Sequence, residues 1–120
     1  MTGSASVGVR RALGTVVVTV HEELDGSGAA HLDRILADLI DGQGNLAVVV
    51  DLGDVSVVES DGLAVLVAAA ERAEGRGGAL RLVNPPERVH QALEPMGLAG
   101  LVTPRPSVLG AGVQAGAPDS

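Results

Sequence analysis

The chain has 120 residues, enough for one domain that buries roughly 65% of the surface its unfolded form exposes. Its formal charge of −7, from 8 cations that are all arginine against 15 Asp and Glu, has the wrong sign for neutralising phosphates and argues against a nucleic-acid partner. Phe, Tyr, Trp and Cys are all absent, so the core must be aliphatic, nothing can stack on a base, and disulfides, thiolate catalysis and the usual structural zinc sites are removed.

Residues 1–5 are small and polar and are expected to be flexible. β-Branched content predicts an edge strand over 7–12 and a strong strand over 15–20, TVVVTV, joined by a hairpin turn at Leu13-Gly14. A polar loop follows in which Asp25 and Ser27 are rival N-caps. Leu32, Ile35, Leu36, Leu39 and Ile40 then recur at helical spacing with Asp33, Arg34 and Asp38 opposite, and this amphipathic helix should stop near Gly42. Residues 46–52 contain Val48, Val49 and Val50 in succession, which reads as a central strand buried on both faces. A second helix is expected over 62–76, released by Gly77-Gly78, and a short strand over 79–83. Asn84 should cap a third helix over 87–94, with Pro85 and Pro86 starting it and Pro95 closing it. Leu101, Val102 and Thr103 suggest a last edge strand. From residue 104 the composition shifts to Pro, Gly, Ala and Ser, the signature of a flexible tail with at most a weak helix across 107–115.

Strands that alternate with helices imply an α/β domain over 6–103. Its sheet should be mixed but mostly parallel, with about four or five strands, an N-terminal antiparallel pair and about three or four helices. The longest apolar run is too short to span a bilayer, and residues 1–7 lack the positive and apolar regions of a signal peptide. A cytoplasmic protein with no membrane partner is the expectation.

The most informative stretch is 48–67, VVVDLGDVSVVESDGLAVLV, where the apolar strand meets a short acidic turn and then a helix. Leu63, Leu66, Val67 and Ala70 give that helix one apolar face, which puts Ser60 at its entrance. A serine or aspartate there is the ordinary N-cap, and Ser60 and Asp61 both qualify. The same helix start would also tolerate a phosphate, because free N–H groups and the positive end of the helix dipole face it.

Other chemistries fare worse. Ser60 as a hydrolase nucleophile would need a base and an oxyanion hole, and V-E-S-D-G is not the G-x-S-x-G elbow. His21, His31 and His90 share no metal-ligand spacing, and Asp51, Asp54, Glu59 and Asp61 read as solvated loop charges, so neither a metal nor another cofactor is expected. No G-x-x-x-x-G-K-[ST] occurs. What remains is a surface for partner recognition.

Residues 49–63, VVDLGDVSVVESDGL, resemble the signature of STAS-domain anti-sigma-factor antagonists, an apolar strand followed by D-L-S-x-V, two apolar residues and D-S-S-G-L. Leu24-Asp25 resembles their upstream G-E-L-D motif, with Glu22 in place of the glycine, and residues 93–101 resemble their late L-F-x-x-x-G-L segment. The resemblance implies a STAS fold and a binding protein, not an enzyme. In that family the first serine of D-S-S-G is phosphorylated by an anti-sigma factor that is itself a serine kinase. Only the unmodified antagonist binds that kinase and frees its sigma factor. Ser60 is the counterpart of that serine. Glu59 matches the preceding aspartate and Asp61 stands where the family has a second serine, while Gly62 and Leu63 match as they are. The partner-binding set implied is Asp25, Glu59, Ser60, Asp61, Gly62 and Leu63, with a serine phosphatase as a further partner and a monomer or weak homodimer as the state. The alternatives are a STAS module of a transporter or signalling complex, in which Ser60 only caps a helix, and a serine hydrolase.

Overall fold

The sheet is built on runs of β-branched residues in β2 and β3 whose burial alternates along each strand. The computed structural model describes residues 7–102. β1 (Val7–Ala12) and β2 (Thr15–Val20) form an antiparallel hairpin with Val7 opposite Val20 and Ala12 opposite Thr15. Its turn holds Leu13 at φ 53° and Gly14 at φ 82°, the left-handed pair that a two-residue type I′ connection requires. β3 (Ala47–Asp51) and β4 (Ala79–Val83) add in parallel, giving the order β1-β2-β3-β4. Helix α1 (Gly26–Ala37) connects β2 to β3, and α2 (Ser60–Gly75) connects β3 to β4. A short α3 (Glu87–Leu93) follows β4. This is the expected α/β domain with a mixed, mostly parallel sheet.

Register places Val16 beside Val48 and Leu80, and Val18 beside Val50 and Leu82, all on one face and all buried. Leu32, Leu36 and Ile40 from α1 and its extension, Leu66, Ala69 and Ala73 from α2, and Val89 and Leu93 from α3 complete one continuous aliphatic core. The alanines let α2 approach closely, which matters in a core without aromatic rings to fill space. The expectation that β3 is buried on both faces is not met. Val48 and Val50 are buried, but Val49 between them is only half-buried, as is Val17 beside it, and Arg81 on the same face is exposed. Successive side chains point to opposite faces of a strand, and among the described residues the helices cover one face.

The ends of the helices depart from the expectations in informative ways. α1 does stop at Gly42, but through a five-residue π turn (Asp38–Gly42) in which Gln43 N–H donates to Asp38 O at 2.8 Å. α2 begins at Ser60, before the expected residue 62. Asn84 does not cap α3: it sits at φ 54° with its amide donating to Asp51 Oδ1 at 3.4 Å, and Pro86 takes the N-cap position. Pro95 does close α3, within a 3-10 turn (Glu94–Met96). The last edge strand is replaced by a 3-10 turn (Ala99–Leu101), after which Val102 makes a single parallel bridge to Leu82. Residues 1–5 and 104–120, expected to be flexible, lie outside the described residues, as does Thr103.

Candidate functional site

Ser60 is positioned by two loops that lock together. The loop after β2 and the loop after β3 run side by side, Leu24 N–H donating to Val57 O at 2.9 Å and Glu59 N–H donating to Leu24 O at 3.0 Å. The Leu24 side chain between them is fully buried. His21 meets Asp54 at 2.8 Å across the same two loops, and Glu22 meets His31 of α1 at 2.7 Å. The backbone bridge keeps Glu59 extended, at φ −91° and ψ 175°, so helical dihedrals begin only at the next residue. Glu59, not Ser60 or Asp61, is therefore the N-cap of α2, and it makes no side-chain capping bond. Ser60 becomes the first helical residue with its side chain exposed, and Asp61 is exposed in the same turn.

Gly62 explains why the loops can come this close. A Cβ there would lie 2.6 Å from Leu24 Cβ and 2.8 Å from Leu24 O, so the approach requires glycine. Gly62 is buried, and it serves the packing under the site. Leu63 is half-buried beside the core.

Of the two rival caps for α1, Asp25 is the one used. Its Oδ1 accepts from Gly28 N–H at 3.0 Å, and the Ser27 hydroxyl donates to the same oxygen at 3.4 Å. The Gly28 N–H, chiefly, holds the Asp25 carboxyl below the usual carboxylate range, against the opposing effect of desolvation. A group whose pKa is depressed on folding contributes stability that is present above its unfolded value and is lost as pH falls through the folded one. Asparagine caps a helix about as well as aspartate but carries no charge. The stability advantage of wild type over Asp25→Asn should therefore shrink as pH falls through and below the ordinary aspartate range, as read from urea unfolding midpoints. Parallel pH profiles for the two proteins would rule out that role for the Asp25 charge.

The loop bridge also sets the starts of α1 and α2 side by side, because a Cβ on Gly26 would lie 3.7 Å from Asp61 Oδ2. Asp25, Glu59, Ser60 and Asp61 thus gather into one acidic patch, with Gly62 and Leu63 beneath it. Two shallow apolar cavities border it. One, of about 260 Å³, is lined by Val58, Glu59, Ser60 and Leu63 on one side and Arg88, Val89 and Ala92 of α3 on the other. The second, of about 410 Å³, continues along α2 past Ser60, Leu63 and Val67 to Met96, which is 51% exposed. Ser60 and Leu63 line both. The bridging role of Leu24, and Arg88 and Met96 as neighbours of Ser60, escape the sequence reading. Leu24 falls within a motif that signals it, but nothing in the local sequence places α3 beside the start of α2.

The three histidines do not serve Ser60. His21 and His31 pair with Asp54 and Glu22, and His90 lies 3.9 Å from Glu94. Among the described residues no helix is long and apolar enough to cross a membrane.

Comparison with known structures returns the same fold. Bacillus SpoIIAA in its phosphorylated form superposes with a TM-score of 0.73 at 16% identity, covering 85% of this chain and 93% of that one. The anti-sigma factor antagonist SpoIIAA in its unphosphorylated form gives 0.71 at 19% identity, covering 85% and 90%. An anti-sigma factor antagonist from Mycobacterium paratuberculosis gives 0.70 at 25% identity, covering 82% and 85%. A comparison with curated proteins finds no match. The family described as Mlab, STAS domain, matches residues 7–103, and with most of the sequence inside that match the chain belongs to the STAS-domain family, whose anti-sigma antagonist members are binding modules and not enzymes.

Proposed function

We propose that this chain is an anti-sigma-factor antagonist that binds an anti-sigma factor with serine kinase activity, frees its sigma factor, and is switched off by phosphorylation of Ser60. The observation that carries this reading is the placement of Ser60: exposed, first in α2, inside an acidic patch and on the wall of both apolar cavities. A kinase can reach such a hydroxyl without unfolding anything. Transfer would break the bond between the γ-phosphorus of ATP and the bridging oxygen, form the bond from Ser60 Oγ to phosphorus, release ADP and pass the hydroxyl proton to a base on the kinase. A serine phosphatase would reverse the state.

The physical consequence follows from charge and desolvation. Phosphate adds about −1.5 to −2 charge beside Glu59 and Asp61. In the free domain the phosphate is accommodated at the exposed, positive end of α2, so the fold tolerates it. At a partner surface the same dianion must be desolvated in a patch that is already acidic. The structural relatives described as anti-sigma factor antagonists, one of them in both phosphorylation states, support the reading.

The test is incubation of the full chain with ATP and an anti-sigma factor kinase, followed by mass mapping. A single modification at Ser60, absent from Ser60→Ala, is the expected result. Modification at Ser27 or Ser56 instead overturns the assignment.

A further inference from the structure

The cavities that Ser60 lines contain one cation, Arg88 on α3. Arg88 is exposed and, among the described residues, forms no ion pair. Four other arginines are occupied: Arg72 and Arg76 meet Asp41 at 3.0 and 3.5 Å, Arg11 donates to Asn45 and Gln43, and Arg81 donates to Gly100 O at 3.1 Å, while Arg10 and Arg34, also unpaired among the described residues, line neither cavity. Glu59 lines the same cavity as Arg88 without pairing with it, so the guanidinium is available to a third group. We propose that Arg88 is the intramolecular counter-ion of a phosphoryl group on Ser60, reaching across the cavity between α2 and α3 so that modification fills and partly neutralises this groove from within.

Three features of the site support this. Ser60 and Arg88 line one and the same cavity of about 260 Å³. The phosphate oxygens match the planar donor fork of arginine, which binds them in two parallel hydrogen bonds. The other charged groups around the site are anionic: Glu59 and Asp61 beside Ser60, Glu71 on the wall of the second cavity, and Asp25 at the start of α1. Without Arg88 a dianion would have only carboxylates as charged neighbours there. With it, phosphorylation would tie α3 to the start of α2 over Val58, Leu63 and Val89, and a partner would lose apolar surface as well as meet new charge.

The inference rests on Ser60 as the modified residue, but its test needs neither kinase nor partner. Phosphoserine is installed at position 60 during synthesis by codon reassignment, and the phosphorus NMR shift is followed against pH in the full chain. The second phosphate ionisation falls ordinarily near pH 6 (about 6), and a nearby guanidinium lowers it by favouring the dianion. Arg88→Gln should raise its midpoint by about half a pH unit, while Arg81→Gln, on the far face of the sheet, should leave it in place. Both sites are exposed, so the variants are expected to fold. An unchanged midpoint in Arg88→Gln, or an equal rise in both variants, overturns the proposal. A failed kinase or partner assay would count against the proposed function and leave this result standing.

Discussion

Replacing Gly62 with alanine is expected to destabilise the domain by about 1–3 kcal/mol, although the change adds one methyl group and improves helix propensity. The Cβ would meet Leu24 Cβ at 2.6 Å, Leu24 O at 2.8 Å and Val58 Cγ1 at 3.3 Å. The first two contacts are closer than real Cβ atoms show, and one involves backbone. The atoms cannot give way cheaply, because the Leu24 carbonyl accepts Glu59 N–H and the Leu24 amide donates to Val57 O. Moving Leu24 aside breaks the bridge between the two loops and shifts a fully buried side chain. Gly75, at the other end of the same helix, provides the control, since a Cβ there meets nothing within 4 Å. Gly75→Ala should be neutral or stabilising by up to about 1 kcal/mol. Urea unfolding should therefore show a loss of stability in Gly62→Ala and none in Gly75→Ala. Hydrogen exchange at the Leu24 and Glu59 amides should also quicken in Gly62→Ala. A Gly62→Ala protein as stable as wild type would mean that the two loops are not held by this contact.

The same contact shows where sequence reasoning reaches its limit. Runs of β-branched residues specify β2 and β3, and the period of Leu32, Leu36 and Ile40 specifies α1, because those signals depend on a segment and the core it faces. The start of α2 is different. Ser60 and Asp61 are both good capping residues by local chemistry, but the N-cap is Glu59 because Leu24, thirty-five residues upstream, accepts its amide proton and keeps it extended. A tertiary hydrogen bond overrides propensity. The three valines of β3 mislead for a related reason: a continuous apolar run permits burial on both faces, but only the position of the helices decides whether it happens. Arg88 lies beyond local patterning altogether, since it shares a cavity with Ser60 only in the tertiary fold. Asp25, Glu59, Ser60, Asp61, Gly62 and Leu63 are singled out together only through the resemblance to the STAS signature, and they come close because their segments follow β2 and β3, neighbouring parallel strands whose carboxyl ends adjoin.

If the proposed function holds, Ser60→Glu is expected to weaken binding to an anti-sigma factor kinase by roughly 5- to 150-fold, the range of a 1–3 kcal/mol coupling, whereas Ser60→Ala should bind like wild type. Alanine removes the phosphoacceptor oxygen but adds neither charge nor bulk on the cavity walls that Ser60 lines. Glutamate adds both, in a turn that already carries Glu59 and Asp61. Misfolding is not a competing explanation that the experiment must leave open. A carboxylate in the first turn of a helix is favoured by about 0.3–1 kcal/mol, so Ser60→Glu should unfold at a temperature no lower than wild type while losing affinity. Salt separates the two components of that loss. At about 1 M ionic strength the Debye length falls to about 3 Å, which removes most of a charge repulsion and leaves a steric block intact. Titration calorimetry at low and high salt, on wild type and both variants, thus reads the switch and its cause together. Equal affinities for all three proteins at low salt would leave Ser60 without a role in partner binding.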